Sequence, residues 1–387
     1  MKIIYIADVR IPTEKAHGLQ IFKTLEALIK NNVQVKLILP FRFNYLKDDP
    51  FSYYDIRERF KIIRLPSIDL SRFKIINEKM GFIVFWIRNI FCLPFLIFFL
   101  MKQPENIIFG RDKLFILLVF FKAILRKSFY FEIHNMPFKF SFFQKLIFKK
   151  MDGIIAITWG LKRSLIELGV PSNKIVVIPD GVDLEKFDIN VSQTASRKRL
   201  NLPLNKRIIL YTGHLYKWKG VYALAEVARF FKDDMLLYFV GGTDYDLQNF
   251  RKFINAKGLL DVVRVVGYID HRLIPYYLKA ADCLVLPGAV EYDISRIYTS
   301  PLKLFEYMTS KRPIVALSCP AYREILDEDN ALLVNFDNPE KVAKTIEKIL
   351  ENKYLSKKIS EQAYLDVQKY SWDNRAKNII SFISTLR

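Results

Sequence analysis

The feature that most constrains this chain is one pattern that begins twice. Short, continuous apolar runs alternate with segments of helix length, as repeated strand–helix units do. In the first half the runs are 3–7, 33–39, 107–109, 130–133 and 154–157. The pattern restarts at 207–211 and continues through 236–240, 263–266, 283–286, 314–316 and 332–334. Strands that are apolar throughout, rather than alternating, belong to parallel sheets covered on both faces. The two halves also open alike. IIYIAD leads through a loop holding Gly18 into a helix, and RIILYTG leads through a loop ending in Lys219-Gly220 into another. The expected fold is therefore α/β, two domains each built on a parallel sheet. The polar stretch 190–205 is the expected join, giving domains 1–190 and 191–370. An amphipathic terminal helix over 371–387 is assigned to the first domain on grounds given below.

The chain has 387 residues, enough for two such domains, and 51% hydrophobic against 26% charged residues is globular composition. Cys92, Cys283 and Cys319 are far apart, and His17, His134, His214 and His271 lack ligand spacing. No disulfide framework or protein-bound metal is expected. The start, MKIIYIAD, reads as a strand rather than a signal peptide, so a cytoplasmic protein is expected. The net charge is +20, and it is uneven: residues 1–180 hold 29 basic and 15 acidic residues, leaving 31 and 25 for the rest. A basic first half points to an anionic partner. The basic residues are scattered and no nucleic-acid motif occurs, so nucleic acid is not the expected partner.

Two apolar segments bear on membranes. Residues 81–101 are almost all apolar and about long enough to span a bilayer, but Arg88, Asn89 and Pro94 fall in the middle. Strand-like segments flank it on both sides, which favours a buried or surface-dipping helix. Residues 138–150, FKFSFFQKLIFKK, interleave large apolar residues with Lys139, Lys145, Lys149 and Lys150. Such a basic amphipathic helix suits an anionic membrane surface, or else simply packs its phenylalanines inward.

Four loops carry candidate chemistry. TSPLKLFEYM (299–308) follows the 283–286 strand and opens a helix, with Ser300 expected as N-cap and Pro301 as the first helical residue. The amides of Leu302 and Lys303, the helix dipole and the Lys303 ammonium suit a diphosphate. Glu306, one turn on, can accept hydrogen bonds from both ribose hydroxyls; the alternative is an ordinary capped helix. In YTGHLYKWKG (211–220), Gly213 lets a ligand approach, Lys219 can neutralise charge on a leaving phosphate and His214 can donate a hydrogen bond, or the loop is merely solvated. His134 in FEIHN ends a strand on the ligand-binding edge of such sheets, and Ala16-His17-Gly18 is a weaker cradle. There is no GxGxxG, P-loop or nucleophile elbow.

Taken together, SPLKLFEYM…KRPIVA, YTGHLYKWKG, FEIHN, IPDGVD and VVGYID…ADCLVLP resemble the GT-B glycosyltransferases of family 4, in order and over nearly the whole chain. The resemblance implies the GT-B fold, two Rossmann-like domains with parallel sheets facing a central cleft, together with a nucleotide-sugar donor, transfer with retained anomeric configuration, no metal or other cofactor, and a last helix that returns to the first domain. It implies that Glu306 binds ribose, that the Leu302 and Lys303 amides bind the diphosphate and that Lys219 stabilises the leaving phosphate. His134 would contact the donor sugar, Gly18 would lie near diphosphate and sugar, and Gly267-Tyr268 would hold the base. Two positions depart from the family. Tyr298 stands where the first of its paired glutamates would fall, and His214 stands where an arginine is usual. Arg296 and Lys303 are candidate substitutes for that arginine. The expected activity is sugar transfer to a glycan or lipid-linked acceptor in cell-surface polysaccharide or lipopolysaccharide assembly, with an anionic membrane surface as a further partner. The alternative is a non-catalytic scaffold of the same fold that binds glycan or membrane.

Overall fold

A computed structural model describes residues 1–69, 78–136 and 142–386. It divides into two compact units, Met1–Pro179 with Trp372–Arg387, and Asp180–Ser371. Each is built on one parallel sheet, and the sheets hold the strands where continuous apolar runs predict them.

The first sheet runs β3-β2-β1-β4-β5-β6-β7, with β1 (Lys2–Ile6), β2 (Gln34–Pro40), β3 (Lys61–Leu65), β4 (Ile107–Gly110), β5 (Ser128–Ile133), β6 (Gly153–Ala156) and β7 (Ile175–Val177). Every pairing is parallel; Tyr5 lies opposite both Leu37 and Phe109. Sequence reading overlooks β3 and β7. Both are edge strands: β3 is KIIRL with its lysine and arginine exposed, and β7 is only three residues long, so neither presents a fully buried run. The helices covering the sheet bury stripes at helical spacing. In Ala16–Lys30 these are Ile21, Phe22, Leu25 and Leu28.

The second sheet runs β10-β9-β8-β11-β12-β13, again all parallel: β8 (Arg207–Thr212), β9 (Met235–Val240), β10 (Val263–Gly267), β11 (Cys283–Leu286), β12 (Ile314–Leu317) and β13 (Leu332–Val334). In both sheets the strand order reverses beside the first strand of the unit. That is where α/β sheets open a crevice at the carboxyl ends of their strands, here between β1 and β4 and between β8 and β11.

The chain passes between units at Pro179, before the polar 190–205 stretch. Phe187 is buried in the second core, Val182 bridges to Ser371, and Arg197 donates to Asp282 (2.6 Å) and to the carbonyl of Ala280 (2.9 Å). Polar composition there marks a surface helix, Gln193–Arg199, pinned by a buried arginine rather than a linker. The Trp372–Thr385 helix packs on the Ala16–Lys30 helix of the first unit.

Residues 81–101 fall in one helix, Glu78–Met101. Among the described residues no helix is long and apolar enough to cross a membrane. Of the expected 138–150 helix, 138–141 lie outside the described residues and Phe142–Lys150 is helical. There Ile147 and Phe148 are buried, while Lys145, Lys149 and Lys150 are exposed.

Candidate functional site

In the second unit the loops after β8 and β11 meet at the switch point. A Cβ on Gly220 would lie 2.5 Å from the Gly288 carbonyl oxygen, so only bare backbone allows this contact. The helix after β11 spans Leu302–Thr309 and is tied to the end of β8 by Tyr307, whose hydroxyl accepts from the Thr212 amide at 2.7 Å. The expected cap is corrected by one residue. Pro301 occupies the N-cap without a side-chain bond, and the Ser300 hydroxyl instead accepts from the Asp180 amide at 3.2 Å. A proline N-cap still leaves Leu302 and Lys303 as the first two helical residues, whose amides have no intrahelical acceptor.

The two lysines expected to face phosphate lie close enough to repel. Both keep some accessible surface, yet their ammonium groups are surrounded by protein. Desolvation pushes Lys219 down to about 8. Burial and then the Lys219 charge hold Lys303 well below the ordinary lysine range, with Glu306 opposing. Among the described residues, neither has a carboxylate at ion-pairing distance. Each rests instead over an aromatic face, Lys303 at 3.7 Å from the Tyr211 ring centre and Lys219 at 4.3 Å from that of Trp218. Gly213 serves this arrangement. A Cβ there would stand 2.7 Å from the Lys303 ammonium nitrogen. The glycine thus makes room for a side chain of the protein itself as well as for any ligand.

Glu306 is nearly buried and lies 3.2 Å from Nε2 of His271, whose ring packs edge-on against Phe187 at 5.6 Å. His271 follows β10 and carries no motif of its own in the sequence, because its partner Glu306 lies 35 residues away on another element. Gly267 ends β10 and Tyr268 after it is 57% exposed. His214 stacks on Tyr216 (5.0 Å, 9°), and Tyr216 on Trp218 (6.1 Å, 21°), so the ring in the arginine's place begins a ladder that ends at Lys219. Of the two candidate substitutes, Arg296 is exposed and bonded to Asp293 at 2.9 Å, whereas Lys303 faces Lys219. Tyr298 is half-buried beside them in sequence.

The first unit brings His134 onto Glu132, a fully buried carboxylate two residues earlier in β5. Glu132 also accepts from Arg375 of the last helix at 2.8 Å and from Gln20 at 2.7 Å. Burial alone would raise this carboxyl, but Arg375 and then His134 hold it well below the usual range. Arg375 further donates to Thr24 (3.1 Å) and to the Pro179 carbonyl (3.0 Å), while Arg111 bonds the other end of Gln20. Nothing in sequence reading marks Glu132 or Arg375, because their pairing joins residues 243 apart in the chain. Gly18 lies in the first turn of the Ala16–Lys30 helix against Tyr54, whose hydroxyl oxygen would be 2.2 Å from an added Cβ. Beside it His17 is pushed down to about 3 by burial and by Arg111, and so is neutral. Among the described residues no group of three or more histidine, cysteine or acidic side chains could hold a metal ion, and all three cysteines are free and buried.

Comparison with known proteins accounts for both units. The family model described as glycosyl transferases group 1 matches residues 192–366, and that of glycosyltransferase family 4 matches 20–186. Curated relatives include an uncharacterized glycosyltransferase of Methanocaldococcus jannaschii, 27% identical over 239 residues, which are 60% of this chain and 58% of that protein. The processive diacylglycerol alpha-glucosyltransferase of Acholeplasma laidlawii is 28% identical over 58% of this chain and 65% of its own. A D-inositol 3-phosphate glycosyltransferase of Xylanimonas cellulosilytica is 25% identical over 58% and 55%. The matches thus span less than two thirds of these relatives' length. Among solved structures, sucrose-phosphate synthase of Thermosynechococcus elongatus superposes with a TM-score of 0.79 at 20% identity, covering 100% of this chain and 98% of its own. Anabaena HepE in complex with UDP-glucose gives 0.77 at 15%, covering both chains fully. With a family model on each unit and the GT-B fold throughout, the chain belongs to the family-4-like glycosyltransferases of the GT-B fold.

Proposed function

We infer that the protein transfers a sugar from a nucleotide-sugar donor to an acceptor hydroxyl, with the anomeric configuration retained and without a metal ion. The observation that carries this reading is the Lys219–Lys303 pair, two desolvated ammonium groups with no counter-ion among the described residues. Such a pair is unfavourable in the empty protein and is relieved by a bound dianion. The Leu302 and Lys303 amides add donors for the same phosphates, and Glu306, one turn on and steadied by His271, suits the ribose hydroxyls.

In the reaction, the bond from the anomeric carbon to the diphosphate breaks and the nucleoside diphosphate leaves with the electron pair. The acceptor oxygen bonds the same carbon from the side that the diphosphate leaves, and its proton passes to an oxygen of that diphosphate. Lys219 and Lys303 meet the charge that grows on the leaving phosphate. His134, oriented by Glu132, is assigned to the sugar. A UDP-sugar is the first donor to test, since the structurally similar HepE is seen with UDP-glucose. The acceptor is assigned to a glycan or lipid-linked chain of cell-surface polysaccharide or lipopolysaccharide, reached at the cytoplasmic face of an anionic membrane. The basic first half and the diacylglycerol substrate in the name of the Acholeplasma relative support that assignment.

The test is thermal stabilisation by UDP, GDP, ADP, dTDP and CMP. A ligand at 100 times its dissociation constant adds about 2.7 kcal/mol. One nucleotide should raise the melting temperature, and Glu306→Ala should abolish the rise. Tyr298 and His214, where the family has glutamate and arginine, favour a second reading as a non-catalytic scaffold. Donor hydrolysis or transfer by the purified protein rules that out.

A further inference from the structure

The Glu78–Met101 helix is apolar on two faces. Its inner stripe, Val84, Arg88, Cys92, Leu96 and Leu100, is buried, and Arg88 and Asn89 reach Asp8 beyond the end of β1 at 2.6 and 3.2 Å. Its outer face carries Ile87, Ile90, Phe91, Phe95, Phe98 and Met101, which are 41 to 61% exposed. A helix on the surface of a water-soluble unit puts polar residues there. The Lys122–Leu125 helix packs against it, and Phe120 and Ile124 extend the apolar area, at 48 and 61% exposed. Contiguous exposed apolar surface of this kind marks an interaction site.

The rim of this surface is cationic. The Lys102 ammonium lies 4.0 Å from the Phe98 ring centre, and that of Lys150 lies 5.9 Å from Phe120. Lys145 and Lys149 of the Phe142–Lys150 helix and Arg126, just after the Lys122–Leu125 helix, are exposed, and the acid Asp152 is bonded to Lys122 at 2.7 Å. An apolar centre ringed by lysines matches the interface of an anionic bilayer, where rings enter the acyl boundary and ammonium groups meet lipid phosphates.

We propose that the outer face of the Glu78–Met101 helix is the membrane-docking surface of this protein, lying in the interfacial layer of an anionic bilayer. It lies on the membrane rather than through it, because Arg88 and Asn89 on the opposite face are bonded into the sheet edge. Of the phenylalanines in 138–150, Phe148 is buried 5.9 Å from Phe131, and the Phe142–Lys150 helix supplies exposed lysines. This inference takes from the proposed function only the membrane-borne acceptor. The Arg88 and Asn89 contacts join the docking helix to the β1 edge that leads to Gly18, so an acceptor headgroup would be presented there.

The experiment is co-flotation of the full chain with vesicles of phosphatidylcholine alone or mixed with phosphatidylglycerol, read without donor or acceptor, so that failure of sugar transfer leaves it unaffected. Wild type should float with the mixed vesicles and lose binding at high salt. Phe95→Ser with Phe98→Ser should lower partition at least about tenfold, as should Lys145→Glu with Lys149→Glu and Lys150→Glu. Ile90→Gln repeats the apolar test at a separate exposed position. Tyr354→Ser with Leu365→Ser, at 80 and 63% exposed positions of the second unit, should bind as wild type. Unchanged melting of every variant confirms the fold. The proposal is overturned if wild type does not float with mixed vesicles, or if the Phe95, Phe98 and Ile90 variants float equally well. It is also overturned if those variants only dissolve a concentration-dependent dimer, which would make a second copy the partner.

Discussion

The carboxyl edges of the two sheets are built alike and charged differently. In the first unit three buried cations each have an anion: Arg375 with Glu132 at 2.8 Å, Arg88 with Asp8 at 2.6 Å, Lys23 with Glu26 at 3.1 Å. In the second, Lys219 and Lys303 face each other with aromatic rings and a single opposing carboxylate, Glu306, itself engaged by His271. A closed charge network holds a shape, whereas an open one holds a place for a charge that the protein does not supply. The difference assigns positioning to the first edge and anion binding to the second.

The largest expected effect separates the two edges by the sign of a stability change. Arg375→Ala leaves Glu132 buried with its main partner gone and should lower stability by about 3–5 kcal/mol in denaturant unfolding. Lys303→Met removes a desolvated charge that lacks a partner and should leave the melting temperature equal or higher. A loss in both would break the comparison. Next in size, Lys219→Ala should reduce turnover of the nucleotide sugar about 100- to 1000-fold, with melting preserved. Near-normal turnover would sink the role assigned to that lysine.

Smaller effects sharpen the second edge. His271→Ala frees the Glu306 carboxylate to wander and should weaken nucleotide binding by about 0.5–1.5 kcal/mol in calorimetry, with no effect on nucleotide-free melting. The pH dependence has a definite sign. Lys219 sits near 8 in the folded chain against an ordinary 10.5, so between these values the unfolded chain binds the extra proton. Stability should therefore rise with pH through that window, as the desolvated charge is relieved, and the rise should be missing in Lys219→Met. Nucleotide binding needs the protonated lysine and should weaken over the same window. A nucleotide affinity flat from pH 7 to 10 would remove Lys219 from the phosphate.

What the sequence tells of this molecule follows the range of the interactions concerned. Eleven of its strands coincide with largely apolar runs and are legible as such, because burial leaves few polar residues to break them. Strands β3 and β7 are edge elements, half-exposed or short, and their pairing is decided by neighbours distant in the chain. Lys219, Lys303 and Glu306 could be picked out since each stands in a local motif where a strand gives way to a helix. The cap at Ser300 shows the limit of such reading: its hydroxyl is taken by the Asp180 amide, 120 residues away. Glu132, Arg375 and His271 were invisible for the same reason, being defined by partners on other elements. The 78–101 helix shows the reverse case, where apolarity is plain in sequence and only the fold separates the buried face from the exposed one.

The central claim, that Lys219 and Lys303 await a diphosphate, is tested most directly by calorimetric titration of UDP into wild type and into the Lys219→Met, Lys303→Met double variant, with GDP and ADP as alternatives. The account predicts one bound nucleoside diphosphate for wild type, and no detectable binding by a double variant that melts at or above the wild-type temperature. Binding by that variant within about threefold of wild type, a difference of less than about 0.7 kcal/mol, would contradict it.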